Sequence, residues 1–306
     1  MEFCGGHTHA ISRYGIGGML PGSVRMIHDT GCPVCVLHIG RIDLAIRLAL
    51  ERGVMLCTYG DTMRVPASDG LSLIKAKARG ADVRMVYSAA DVLALADKHP
   101  DREVVFLAIG FETTTPPTAL VLREARERAV QNFSVLCCHV LTPAAITHIL
   151  ESAEVRQLGT VPIDGFIGPA HVSIVIGSQP YEHFAEEYRK PVVITGFEPL
   201  DVMQGILMLV RQVNAGRAVV ENEFSRAVTP EGNLAAQNLV SQVFELRESF
   251  EWRGLGDVPY SALKIRPAFA AWDAERKFDL QYASVPDHKQ CECGAILRGV
   301  KRPTDC

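Results

Sequence analysis

Residues 103–130 read EVVFLAIGFETTTPPTALVLREARERAV, and the change of pattern inside them sets the fold. The first eight, EVVFLAIG, form a near-continuous apolar run rich in β-branched side chains. That is the composition of a strand covered on both faces. Proline then follows a threonine run, which marks a helix N-terminus, and "PPTALVLREARERAV" continues as a helix. A fully buried strand feeding a helix is one step of an α/β fold with parallel strands.

The same alternation extends outward in both directions. Strands are expected at 23–29, 53–60, 82–88, 103–110, 133–140, 163–170 and 191–197. Helices are expected at about 39–51, 71–79, 89–98, 117–130, 143–155, 181–189 and 199–215. Seven strands suit one sheet or two. The phrase IGFETT (109–114) returns as TGFEPL (195–200), each time at a strand end before a helix, which raises a repeated half-domain as one reading. Beyond 216 the rhythm fades into a helix near 232–246, loops and edges around FEWRGLGDVPYS, and a cysteine-bearing end. The expected division is an α/β domain over 1–90, a second over 91–216 and a mixed C-terminal region over 217–306.

Composition narrows the function classes. The 306 residues are 48% hydrophobic and 22% charged, which describes a globular chain. A net charge of −4 supplies no basic field for nucleic acid or a membrane surface. The sequence shows neither a long apolar run nor a secretory signal, so the cytoplasm is the expected compartment. There, clustered cysteines point to metal or redox work. Of nine, Cys57, Cys137 and Cys138 lie in strand-like apolar contexts and read as small buried hydrophobes.

The remaining cysteines fall in three motifs. TGCPVC (30–35) places Cys32 and Cys35 at a strand–helix junction, where unpaired N–H groups favour thiolate. This spacing suits a reversible dithiol or half of a metal site. CGGHTHA (4–10) offers a soft thiolate, Cys4, with the imidazoles His7 and His9, a donor set for iron, copper or zinc. A loose tail reads equally well. CECGAILRGVKRPTDC (291–306) carries Cys291, Cys293 and Cys306, one thiol short of a four-ligand site. Strand ends collect further polar groups, including Glu112, His171 and Glu198, and ligands of open parallel sheets bind beyond such ends. Helix capping by the threonines after Glu112, and a favourable helix dipole at Glu198, account for the same residues without chemistry.

Taken in order, CGGHTHAI, GCPVCV, GRID, GDTMRVP, AKARGADVR, IGFETT, PAHVSIVIG, GFEPLD, EWRGLG and CGAILRGVKRPTDC resemble the HypD family of hydrogenase maturation proteins over nearly the whole chain. The resemblance implies two similar parallel-sheet α/β domains with an iron–sulfur-type cysteine module. It implies work in the cytoplasm on the Fe(CN)2CO unit of [NiFe]-hydrogenase, with a HypC-type chaperone and a HypE-type cyanide donor. Cys4 matches the cysteine that holds the iron jointly with a chaperone cysteine, and His7 a histidine beside it. Cys32 and Cys35 match a redox-active pair. Cys291, Cys293 and Cys306 match ligands of a [4Fe–4S] cluster. Glu112 and Glu198 are expected to position or deprotonate groups around the iron.

Three departures qualify the match. The family usually carries a helical segment before the Cys4 motif. Asp29 and Thr30 stand where it usually has Gly-Pro. A fourth cluster ligand does not follow Cys306, so the cluster site is expected to be incomplete in this chain. Two other functions compete: a thiol–disulfide oxidoreductase using Cys32 and Cys35, and a metal-dependent hydrolase. The latter ranks last because no H-E-x-x-H or similar ligand set is present.

Overall fold

The computed structural model describes residues 1–28, 31–152, 163–286 and 290–301. Eleven strands are described: β1 (Met55–Thr58), β2 (Val83–Met85), β3 (Val104–Gly110), β4 (Phe133–His139), β5 (Phe166–Pro169), β6 (Val192–Thr195), β7 (Val220–Asn222), β8 (Phe244–Leu246), β9 (Ser249–Trp252), β10 (Gly256–Pro259) and β11 (Leu263–Ile265). The chain forms two compact units. The first comprises Met1–Cys32, Thr142–Leu234 and Gln290–Cys306, and the second Pro33–Leu141 and Ala235–Lys289. The units interleave along the chain, where the sequence reading divides it into consecutive blocks at 90 and 216.

The second unit is built on a parallel sheet ordered β2-β1-β3-β4. All seven residues of β3 and of β4 are buried, as their apolar runs require. Helices Ala89–Lys98 and Thr115–Glu127 cover the sheet through Val92, Leu93, Ala119 and Leu122. Segment 235–289 completes the same core, contributing Phe244, Leu263, Ile265, Phe269 and Trp272. β8 and β11 pair antiparallel, as do β9 and β10, so FEWRGLGDVPYS is a hairpin rather than loose edges.

The first unit holds the parallel sheet β5-β6-β7. The chain's opening residues extend it. Glu2 bridges in parallel to Ile167 of β5 on one side and to His28 on the other. Its N–H donates to Ile27 O at 2.9 Å, and the Ile167 N–H donates to Met1 O at 2.8 Å. Segments 1–3 and 26–28 therefore lead the sheet, in the order second, first, third, fourth, fifth. The second unit begins with the same order, and in both the order reverses beside the first strand. The strand expected at 23–29 is paired only at His28 among its described residues.

Candidate functional site

The first strand of the first unit ends at Cys4, which caps the helix Gly5–Arg13. Ligands of open parallel sheets bind at this place, beyond the carboxyl end of a strand where the order reverses. CGGHTHA is thus a fixed strand–helix turn and not a loose tail. Glu2 holds it from beneath. Its carboxylate, fully buried, accepts the Cys4 N–H at 2.8 Å, the Thr8 hydroxyl, and His28 Nδ1 at 2.8 Å. Burial pushes the Cys4 thiol above its ordinary pKa. The N–H groups of Gly6 and His7 pull it back, and the Glu2 charge raises it further. The thiol is consequently protonated at neutral pH, and a soft cation that binds it must displace the proton.

Two glycines let other chain segments approach. The Gly5 N–H donates to Gly31 O at 3.1 Å. A Cβ on Gly31 would lie 2.5 Å from Gly5 N and 2.7 Å from Cys4 Cα. Gly31 directly precedes Cys32, so the approach to the C-x-x-C segment runs against Cys4. A Cβ on Gly6 would lie 2.6 Å from the Phe197 ring.

His7 is wholly buried. Its Nε2 lies 2.9 Å from Thr195 O and 3.1 Å from Gly196 O, two acceptors that require the proton on Nε2. Nδ1 then carries the lone pair, and among the described residues it has no hydrogen-bond partner. Burial pushes the pKa below its ordinary value, so the ring is neutral. The carbonyls of Thr195 and Gly196 and the Glu2 charge oppose this, and His171 adds to it. Phe197 packs between His7 and His171, with ring centroids at 4.8 and 4.3 Å and the planes tilted by 44° and 52°. His9 is exposed.

Glu198 is the exposed N-cap residue of helix Pro199–Asn214. Asp201 in the first turn pairs with Arg226. Glu223 accepts the Gly196 N–H at 3.2 Å, and burial raises its pKa. Glu2, Phe197 and Glu223 were not singled out in the sequence. Only Glu2 leaves a signal there, a carboxylate between the apolar Met1 and Phe3.

Cys32 and Cys35 are both disulfide-bonded, the oxidised state of a C-x-x-C pair. Cys32 is half-buried and Cys35 exposed. Between them the chain passes from the first unit to the second. The short helix Pro33–Val36 is braced by the Arg253 N–H, which donates to Val36 O at 2.8 Å, and by Leu37 bridging Trp252. Residues 29 and 30, where the pair was expected to leave its strand, lie outside the described residues.

Glu112 lies buried in the turn after β3, in the second unit, whereas Cys4, His7 and Glu198 belong to the first. Gly110 makes that turn. With φ at +157°, a Cβ there would fall 1.6 Å from the Thr114 hydroxyl. The Thr114 and Thr115 hydroxyls both donate to Phe111 O, at 3.1 and 3.2 Å. Cys57, Cys137 and Cys138 are buried free thiols. Burial pushes them up to about 12, about 12 and about 11, so they act as packing groups. Cys291 is exposed and Cys293 half-buried, while Cys306 lies outside the described residues. Among the described residues no group of three or more His, Cys, Asp or Glu side chains is arranged to hold a metal ion.

The first unit places the Cys4 thiol at the reversal point of a parallel sheet, and the disulfide-bonded C-x-x-C pair leads into a second parallel α/β unit. The chain belongs to the HypD family, whose model, described as the hydrogenase formation hypA family, matches residues 1–306. It is 78% identical over all 306 residues to the hydrogenase maturation factor HypD of Cupriavidus necator, covering 81% of that protein. It is 68% identical to the factor of the same name from Rhizobium leguminosarum, and 45% identical to that of Escherichia coli. Each of these matches takes in the whole chain and 80% of the relative. The chain thus stands among hydrogenase maturation factors. No described helix is long and apolar enough to cross a membrane.

Proposed function

We propose that this chain is the cytoplasmic scaffold on which iron receives its cyanide and carbon monoxide ligands before delivery to a [NiFe]-hydrogenase. The Cys4 thiolate is its protein anchor. The observation that carries this reading is the placement of Cys4, held at the reversal point of a sheet by a buried carboxylate, with the approach to Cys32 lying against it. Iron with cyanide and carbon monoxide prefers soft, strong-field donors, which a thiolate supplies. A carrier must also let go, so a second thiolate comes from a HypC-type chaperone. Cyanide comes from a HypE-type donor, and the hydrogenase large subunit is served indirectly.

The neutral His7 ring, on the helix that Cys4 caps, keeps an Nδ1 lone pair without a partner among the described residues, able to accept a hydrogen bond from a proton-bearing ligand. Glu198 and Glu112 are assigned to positioning or deprotonating groups around the iron. In its reduced form the Cys32–Cys35 pair is assigned as electron donor to the iron or its ligands: two electrons and two protons leave as the disulfide closes, and an external two-electron reductant must reopen it before another cycle. Cys291, Cys293 and Cys306 are assigned to an iron–sulfur cluster. The described residues supply two of those thiols, Cys291 and Cys293, where a cluster takes four. A second reading, a thiol–disulfide oxidoreductase, is favoured by one observation: Cys35 of the disulfide-bonded C-x-x-C pair is exposed.

Infrared spectroscopy of the chain purified with its chaperone decides between them. Cyanide and carbon monoxide stretching bands are expected, and Cys4→Ala is expected to abolish them with the fold intact. Bands that survive Cys4→Ala, together with protein mixed disulfides trapped by Cys35→Ser, establish the second reading instead.

A further inference from the structure

Residues Arg253–Leu255 join β9 to β10, and their backbone is fixed on both sides. The Arg253 N–H donates to Val36 O at 2.8 Å, and Leu37 bridges Trp252. Trp252 is buried and donates its Nε1–H to Ser261 Oγ at 2.8 Å. Gly254 and Gly256, with φ of +76° and +74°, make the turn and put no side chains beside the arginine.

The Arg253 guanidinium is unusual in this setting. Its Nε and Nη2 atoms are buried and have no hydrogen-bond partner among the described residues. A guanidinium cannot neutralise itself by losing its proton, so two buried unpaired donors carry a heavy desolvation cost. Arg41 and Arg247 of the same unit avoid that cost. Both pair with Glu275, at 2.7 and 2.8 Å. The two unpaired donors of Arg253 lie on one edge of the guanidinium plane, where their N–H bonds run parallel. That edge matches the two oxygens of a carboxylate in bidentate contact. The residue as a whole is half-buried, so part of its side chain reaches solvent although the two unpaired donors do not.

We propose that Arg253 is the binding site of a small free carboxylate, gripped by Nε–H and Nη2–H in the loop that braces the C-x-x-C segment. A carboxylate there satisfies both orphaned donors and neutralises the charge. The site is independent of whether Cys4 carries iron, so its test stands apart from the infrared experiment.

Thermal unfolding of the full chain is measured with sodium formate or sodium acetate, against sodium chloride at equal ionic strength. Either carboxylate at ten times its Kd is expected to raise Tm by roughly 3 °C, with no such rise in chloride. Arg253→Met is expected to be at least as stable as the parent without carboxylate, because it removes an unpaired buried charge, and to lose the response. Should Arg253→Met fail to fold, Arg253→Lys decides. It keeps the charge but lacks the fork, and its response is expected to fall several-fold. A rise equal in chloride, no rise in the parent, or a rise undiminished in the folded variant overturns the site.

Discussion

Gly31 is the residue on which the site's geometry turns. The backbone of Cys4 and Gly5 occupies the space a methyl group would need, and backbone cannot swing aside as a long side chain can. Gly31→Ala must therefore push the approach to Cys32 away from Cys4. Overpacking of this kind costs about 1–3 kcal/mol. Urea unfolding is expected to show that loss, and the infrared bands of the iron-loaded protein are expected to weaken with it. An alanine variant of parental stability and full band intensity refutes the close approach. The roles of single residues were only partly legible in the sequence. Cys4 and His7 stood out by chemical type. Glu2 did not, because its importance comes from Thr8 and His28 converging on it, and convergence of distant segments leaves no local pattern.

At the scale of elements, β4 carries a buried histidine with a measurable consequence. His139 is wholly buried, with Nε2 3.0 Å from the Thr118 hydroxyl of the covering helix, and burial pushes its pKa down to about 4. A base held below its ordinary value of 6.5 contributes stability that is complete above 6.5 and is lost as pH falls through about 4. The size is roughly 3 kcal/mol, from 1.36 kcal/mol for each pKa unit. Denaturant unfolding between pH 7 and pH 4 is expected to show that decline in the parent. His139→Gln, neutral throughout, is expected to show a flatter profile, and equal slopes count against the assignment. Elements were the most legible level. The helices expected at 39–51 and 89–98 occur at those residues, because apolar periodicity and caps agree there. The helix Gly5–Arg13 was missed, since its two glycines and two histidines are poor helix formers and tertiary packing holds it. The echo of IGFETT in TGFEPL is local. It follows the third strand of one unit and the fourth of the other, and marks a shared turn into a proline-started helix.

At the scale of the whole molecule, the interleaving of the units decides what can be removed. The core around β3 and β4 is completed by Phe244, Leu263, Ile265, Phe269 and Trp272 from far along the chain. Trp272 Nε1–H also donates to Val130 O at 2.7 Å, and Lys277 reaches Glu103 at 2.7 Å. A chain ending at Leu234 keeps every strand of both parallel sheets yet strips this cover from the second unit. It is expected to be insoluble or to bind a hydrophobic dye strongly, whereas a native-like near-ultraviolet circular dichroism spectrum refutes the dependence. The sequence pointed to a parallel α/β architecture, but not to this partition. Local periodicity reports which segments are strands. It does not report that residues 1–3 lie between β5 and residues 26–28, which long-range pairing decides.

The raised pKa of Cys4 has a kinetic side. Thiol–disulfide exchange and peroxide oxidation both proceed through the thiolate. The segment leading to the disulfide lies against the backbone of Cys4, so an ionised Cys4 would invite shuffling of that bond and sulfenic acid formation. Keeping the proton on sulfur makes Cys4 chemically quiet. A soft cation that took the proton's place, as the proposed function requires, would engage the sulfur lone pair itself, so the atom would pass from one protected state to another without a free thiolate between them.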